Sequence, residues 1–236
     1  MDAASHVPVV TIDGPSGSGK GTISREVARL LGWHLLDSGA LYRLVALSGR
    51  RSGLAPDDVG GHAALARAMS VEFSGDQEGR ERIRLDRVDV TREVRSEEAG
   101  QGASRVAAWP EVREALLERQ RAFTLPPGLV ADGRDMGTVI FPAADLKIYL
   151  TASAAERALR RYKQLKEKGS DANLAALSRE IAERDQRDST RVVAPLRPAP
   201  DARIIDSTGM SIAQVVESVL SAGRARGLWS RRAEHR

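Results

Sequence analysis

Short apolar runs alternate along this chain with longer stretches whose apolar residues recur every three or four positions. "VPVVTID" (7–13), "WHLLD" (33–37), "GLVADG" (128–133), "LKIYL" (146–150) and "ARIIDST" (202–208) are rich in aliphatic side chains, and most end on polar or turn-forming residues. They predict short strands of the buried type. After the first of them, Ile23, Val27, Leu30 and Leu31 fall at i, i+4, i+7 and i+8, on one face of a helix that Gly32 can end. "SGALYRLVALSGRR" predicts a second helix, and further helical patterns cover roughly 111–123, 153–168, 174–189 and 211–226. Strands alternating with helices predict an α/β fold, a parallel sheet covered by helices on both faces.

Residues 56–98 break that rhythm. "MSVEFSGDQEGRERIRLDRVDVT" alternates apolar and polar positions around the turn "GDQEG", which predicts a small antiparallel sheet inserted between elements of the α/β core. "VVAPLRPAPDA" (192–202) carries prolines at 195, 198 and 200 and ends the helix before it. No internal repeat or low-complexity tract is present.

Composition narrows the class. At 236 residues, 42% hydrophobic, the chain can bury one generous domain or a domain with an insertion. No apolar run approaches the ~18 residues of a membrane helix, and "MDAASHVPVV" has no basic residue ahead of an apolar stretch, unlike a secretory signal. The absence of cysteine excludes disulfides, thiolate catalysis and zinc–thiolate sites. A soluble, cytoplasmic, monomeric protein is the expectation. The formal net charge is +4, and the last thirteen residues, "RARGLWSRRAEHR" (224–236), hold five arginines and one glutamate, so residues 1–223 sum to zero. The basicity belongs to a tail expected to be frayed, and neither a nucleic-acid partner nor a membrane is expected.

The densest chemical signal is "VVTIDGPSGSGKGTISREVARLL" (9–31), with Gly14, Gly17, Gly19 and Gly21 around Lys20. Glycines between a buried strand and a helix let successive backbone N–H groups point into a concave anion nest at the positive end of the helix dipole. Lys20 adds a mobile charge for the β- and γ-phosphates. The usual loop places a hydroxyl directly after the lysine, where this chain has Gly21. Thr22 or Ser18 then supplies a hydroxyl elsewhere, or Mg²⁺ is held mostly through phosphates and water. No metal ligand is assigned. G-K-G-T is the version found in nucleoside monophosphate kinases, which points to a small-molecule kinase.

Such a kinase needs a second anion site, and arginine suits it because its planar fork grips phosphate bidentately. Arg43 follows "LLDSGALY" and Arg134 lies in "ADGRDMGT", each just after a predicted strand. Ligands of open α/β sheets bind at the carboxyl ends of strands. Arg184, Arg187 and Arg191 fall at i, i+3 and i+7, and Arg157, Arg160 and Arg161 form a second cluster. Either is a solvated, ion-paired helix face or part of a lid over the donor nucleotide.

Together, "TIDGPSGSGKGT", "HLLDSGALYR", "ASRVAAWPEVREAL", "LVADGRDMGTVIFPAADLKIYL" and "ERDQRDSTRVVAPL" closely resemble the bacterial cytidylate kinases, in order from residue 7 to residue 223. The resemblance implies a P-loop kinase fold over 1–223, with a small nucleotide-binding insert at 56–98 and a helical, arginine-rich lid at 153–195. It implies ATP-dependent, Mg²⁺-assisted phosphorylation of CMP and dCMP. Gly14, Gly17, Ser18, Gly19, Lys20, Gly21 and Thr22 would cradle the ATP phosphates. Ser38, Arg43, Arg134 and Arg191 would hold the acceptor, the arginines by its phosphate; Ser104, Arg113 and Asp135 would read cytosine; Arg184 and Asp188 would contact the pentose. Lys20, Arg134, Arg191 and the lid residue Arg160 would serve the transfer itself. Cytosine offers an amino donor and ring acceptors, which suit a carboxylate and an arginine; uracil reverses part of that pattern. Gly100 and Gly102, in the helix-like "EEAGQGASR", are expected to loosen that segment. The rivals are a kinase for UMP, AMP or a non-nucleotide acceptor and, from another class, a nucleotide-gated or RNA-binding regulator using the basic tail.

Overall fold

The strand β1 (Val9–Asp13) is buried along its whole length and lies at the centre of a five-stranded parallel sheet. This is a computed structural model, and it describes residues 6–75, 81–167, 169 and 171–230. The chain divides into two compact units, one comprising residues 1–37 with 121–236 and the other Ser38–Gln120.

In the first unit β1 is followed by α1 (Lys20–Leu31) and β2 (His34–Asp37). The sheet order is β2, β6 (Leu129–Gly133), β1, β7 (Leu146–Thr151), β8 (Arg203–Asp206), every neighbouring pair parallel. These are the five strands that the apolar runs predict. Val10, Ile12, Val130, Leu146, Ile148 and Leu150 are at most 1% exposed, since helices cover both faces of such a sheet. Ile23, Val27 and Leu31 of α1 and Val215, Val216, Val219 and Leu220 of α9 (Ile212–Ala225) join the same cluster. Asp13 stands beside Gly133 in the β1–β6 register, so the loops leaving β1 and β6 emerge side by side at the carboxyl edge, where this fold class binds ligands. The helices α7 (Ala154–Glu167) and α8 (Leu174–Thr190) pack together between β7 and β8 in the chain.

The chain beyond 223 departs from the frayed tail that its charge suggests. Trp229 is 8% exposed and meets Trp33 edge-on, ring centroids 5.4 Å apart. Gly223 makes this possible: a Cβ there would fall 1.9 Å from the Trp229 ring. Burying an indole outweighs the solvation of the neighbouring arginines, although Trp229 Nε1 finds no hydrogen-bond partner among the described residues. Residues 231–236 lie outside those described.

The second unit is wider than the expected insert at 56–98. It contains α2 (Ser38–Arg51), α3 (Val59–Ala68), the strands β3 (Val71–Gly75), β4 (Glu81–Leu85) and β5 (Val88–Asp89), then α4 (Thr91–Val94), α5 (Glu97–Val106) and most of α6 (Pro110–Arg121). The strands form an antiparallel sheet in the order β3, β4, β5; most of the turn "GDQEG" lies outside the described residues. The unit extends to both sides of the sheet because α2 packs on α5. Gly100 and Gly102 are contact points in that packing rather than loose ones. A Cβ on Gly102 would meet Ala46 Cβ at 2.8 Å, and one on Gly100 would meet the Arg43 guanidinium at 3.3 Å. Ser96 caps α5 by accepting from Ala99 N, which offsets the low helix propensity of the two glycines.

Candidate active site

In the phosphate loop, Gly17 (φ 76°) and Gly19 (φ 89°) occupy the left-handed region that only glycine enters cheaply. The N-cap of α1 is Gly19, and no side chain caps it. Asp58, Asn173 and Ser211, by contrast, cap α3, α8 and α9 with their own oxygens. The first amides of α1 are thus left for an anion, reinforced by the helix dipole. Lys20 is 8% exposed, and its Nζ donates to Pro15 O at 3.2 Å. Burial pushes its pKa down and the charges of Arg134 and Arg184 push the same way, against Asp132. An anion in the loop would reverse that pressure.

The missing hydroxyl after the lysine has a structural counterpart. A Cβ on Gly21 would lie 3.2 Å from Asp132 Oδ2, so the space where the usual serine or threonine stands faces a carboxylate from the end of β6. Asp132 is 8% exposed, its Oδ1 has no hydrogen-bond partner among the described residues, and burial raises its pKa. Thr22 is exposed, while Ser18 is buried with its Oγ near Gly14 and unpartnered.

Two arginines of α7 brace the loop. Arg157, 6% exposed, donates from Nη1 to Ser16 O (3.0 Å) and from Nε to Ala152 O (3.1 Å), and pairs with Asp185 of α8 (2.6 Å). Arg160 donates from Nη1 to Ser18 O (3.1 Å), from Nη2 to Ser207 O (2.6 Å) and from Nε to Glu156 Oε1 (2.8 Å). Arg161 donates from Nη1 to Gln164 Oε1 (2.6 Å).

At the end of β6, Arg134 donates from Nε to Asp188 Oδ2 (2.9 Å) and from Nη1 to Gly133 O (3.3 Å). Burial works against Asp188's charge, but Arg134 outweighs it and holds the carboxyl below its usual range. Arg191 joins them by donating from Nε to Asp188 O. The stripe Arg184–Arg187–Arg191 is not one helix face, however. The helix stops at Thr190, Arg191 turns away at the C-cap (ψ 134°), and Arg187 is exposed; Asp188 is the residue turned inward, 4% exposed. Asp135 is 2% exposed and begins a π-helical turn over Met136–Ile140. Asp13, 5% exposed, fastens that turn: Met136 N donates to its Oδ1 and Gly137 N to its Oδ2, each at 2.8 Å. Burial raises the Asp13 pKa to about 7 against the pull of those two bonds.

The second unit holds its own expected residues. Arg43 donates from Nη1 to Val94 O (2.9 Å) and Ser96 O (3.1 Å). Arg113, 6% exposed, donates to Ala107 O (3.2 Å), with its guanidinium 5.7 Å from the centre of the Tyr42 ring. Ser104 is 7% exposed and its Oγ has no partner among the described residues. Ser38 is committed elsewhere. It donates to Gln120 Oε1 (2.8 Å), whose amide nitrogen in turn donates to Leu116 O (3.3 Å). Its single proton would have to change partners to serve a ligand.

Asp13, Asp132 and Gln120 escape the sequence reading. Asp13 and Asp132 share one signal, an aspartate just before the glycine that ends an apolar strand run ("TIDG", "VADG"). Gln120 leaves no such trace on its helix.

Comparison with known proteins identifies the family. A family model described as cytidylate kinase matches residues 10–225. A protein named cytidylate kinase from a Marinomonas species is 55% identical over 221 residues, covering 94% of this chain and 97% of its own. Proteins of the same name from Bordetella bronchiseptica (56% identical; 94% and 98% covered) and Pseudomonas syringae pv. syringae (57%; 94% and 97%) match equally broadly. With its uncapped phosphate-loop helix and buried arginine–aspartate cluster, this chain belongs to the cytidylate kinase family.

Proposed function

We propose that the protein transfers the γ-phosphoryl group of ATP to CMP and dCMP, giving ADP and the corresponding diphosphate. The observation that carries this reading is the cytidylate kinase match over residues 10–225, which spans the phosphate loop and every acceptor motif. The acceptor phosphate is largely ionised near neutral pH, its second pKa being about 6, so no strong base is needed. The work left to the protein is alignment and charge neutralisation.

In this reading the Gly14–Thr22 loop and Lys20 hold the ATP phosphates. Within the sheet unit, Arg134 and Arg191 take the acceptor phosphate, Asp135 accepts from the cytosine amino group, and Arg184 and Asp188 meet the pentose. Within the Ser38–Gln120 unit, Arg43 takes phosphate while Arg113 and Ser104 read the base; the unpartnered Ser104 hydroxyl supports that last assignment. Arg160 approaches the transferring group by exchanging its present carbonyl partners. Among the described residues no group of three acidic or histidine side chains could hold a metal alone. Mg²⁺ fits a set made of ATP phosphates, water and the Asp132 carboxylate, whose Oδ1 has no hydrogen-bond partner among the described residues. It would neutralise charge on the β- and γ-phosphates.

The test is a coupled ADP-release assay with CMP, dCMP, UMP and AMP as acceptors. CMP and dCMP should exceed UMP in kcat/KM by ~10²-fold or more, because uracil would leave buried groups of the site mismatched. Preference for UMP or AMP would overturn the proposal.

A further inference from the structure

Asp13 is not itself among the residues proposed to contact a nucleotide, yet its place makes it a candidate for setting acceptor selectivity. It is the last residue of β1, and Gly14, the first residue of the phosphate loop, follows directly. Both carboxylate oxygens are used on the far side of the β1–β6 pair, accepting from Met136 N and Gly137 N at 2.8 Å. Those amides open the π-helical turn, where a helix leaves its N–H groups without internal partners. Asp135, at the turn's N-cap, does not cap it with its own side chain. The cap comes from the neighbouring strand.

The turn has little freedom elsewhere. A Cβ on Gly133 would meet the Met136 side chain at 2.7 Å, and one on Gly137 would meet Thr11 Oγ1 at 2.8 Å and Lys147 at 3.2 Å. On the other side of β1, a Cβ on Gly14 would fall 2.0 Å from Leu150 O, so the start of the phosphate loop is also seated closely. One carboxylate therefore ties the donor loop's point of departure to the turn that carries Arg134 and Asp135.

We propose that Asp13 is a positioning residue for acceptor discrimination: by fixing the first two amides of the 136–140 turn, it fixes where Asp135 meets the base. The inference rests on the reading of Asp135 given above. Telling cytosine from uracil depends on hydrogen bonds that weaken within a few tenths of an ångström, so slack in this turn costs selectivity before it costs donor binding.

Asp13→Asn keeps the shape but turns an amino group toward one of the two N–H donors. It should raise KM for CMP ~10-fold and lower the CMP-to-UMP ratio of kcat/KM by a similar factor, with KM for ATP within about twofold. Gly137→Ala leaves Asp13 intact and pushes the same turn from Thr11 and Lys147; it should give the same split, and it decides the matter if Asp13→Asn does not fold. Ile12→Val, which trims β1 within the sheet's apolar cluster and touches neither bond, should leave the ratio unchanged. Equal rises in both KM values for Asp13→Asn, or an unchanged CMP-to-UMP ratio in both turn variants, would overturn the inference. Asp135→Ala separates the two levels. If it leaves the ratio intact, the base reading fails and this inference with it; if it abolishes the ratio while both turn variants keep it, only the inference fails.

Discussion

Arg43 and Arg113 in one unit and Arg134 and Arg157 in the other are held by different kinds of partner. In the Ser38–Gln120 unit, Arg43 and Arg113 donate to main-chain carbonyls of Val94, Ser96 and Ala107. In the sheet unit, Arg134 and Arg157 face carboxylates, Asp188 and Asp185. A carbonyl orients a guanidinium and leaves its charge whole. A carboxylate orients it too, but offsets the charge, and each partner becomes necessary for the burial of the other. A ligand of Arg134 must reorganise an existing ion pair, whereas a ligand of Arg43 competes with the carbonyls of Val94 and Ser96.

The largest test of that contrast is Arg134→Ala against Arg43→Ala. Arg134→Ala strands Asp188, and breaking such a buried pair costs about 3–5 kcal/mol, roughly 10 °C in Tm for a protein of this size. Its kcat/KM should fall ~10³-fold. Arg43→Ala should lose only about 1 kcal/mol of stability while KM for CMP rises about 10- to 100-fold. Differential scanning fluorimetry beside steady-state kinetics separates the two; equal stability losses would erase the distinction.

A pH series sharpens the same comparison, because the strongly buried carboxylates lie in the sheet unit. Asp13 has its pKa raised from 3.8 to about 7, chiefly by burial. A group raised in this direction contributes stability that is fully present below its unfolded pKa and is lost as pH climbs through the folded one. The stability of the wild type should therefore fall relative to Asp13→Asn between about pH 4 and 7, by on the order of a few kcal/mol, and Tm with it. A constant difference would mean that Asp13 is ionised throughout.

The smallest expected effect pairs two neighbouring glycines of α5. Gly100→Ala presses on the flexible Arg43 fork and should raise KM for CMP a few-fold with little loss of Tm. Gly102→Ala presses on Ala46 Cβ and should cost about 1–3 kcal/mol without changing KM. The reverse pattern would mean that Arg43 is not held where phosphate needs it.

How much of this was legible depends on which physics dominates a segment. The five parallel strands could be read because a strand covered on both faces must be apolar throughout, and the phosphate loop because its glycines have no other use. Gly60 and Gly61 hid α3, since their poor helix propensity is overridden by the Asp58 cap at Gly61 N. Arg191 shares a sequence spacing with Arg184, but the helix ends at Thr190, so Arg191 stands at the C-cap and not within the helix. Local composition misjudged the segment from 224 to 230 because what anchors it is one tryptophan far from its partner in sequence. The Arg134–Asp188 and Asp13–turn contacts depend on sheet register, which no single segment records.

The placement of the tryptophans gives the molecule a built-in optical division. Trp33 and Trp229 stand edge to face in the sheet unit, whereas Trp109 lies in the other unit beside His62, 5.3 Å between ring centres. A protein carrying Trp33→Phe and Trp229→Phe would emit from the Ser38–Gln120 unit alone, and Trp109→Phe from the sheet unit alone. Fluorescence in rising denaturant would then show whether the halves melt together or one after the other.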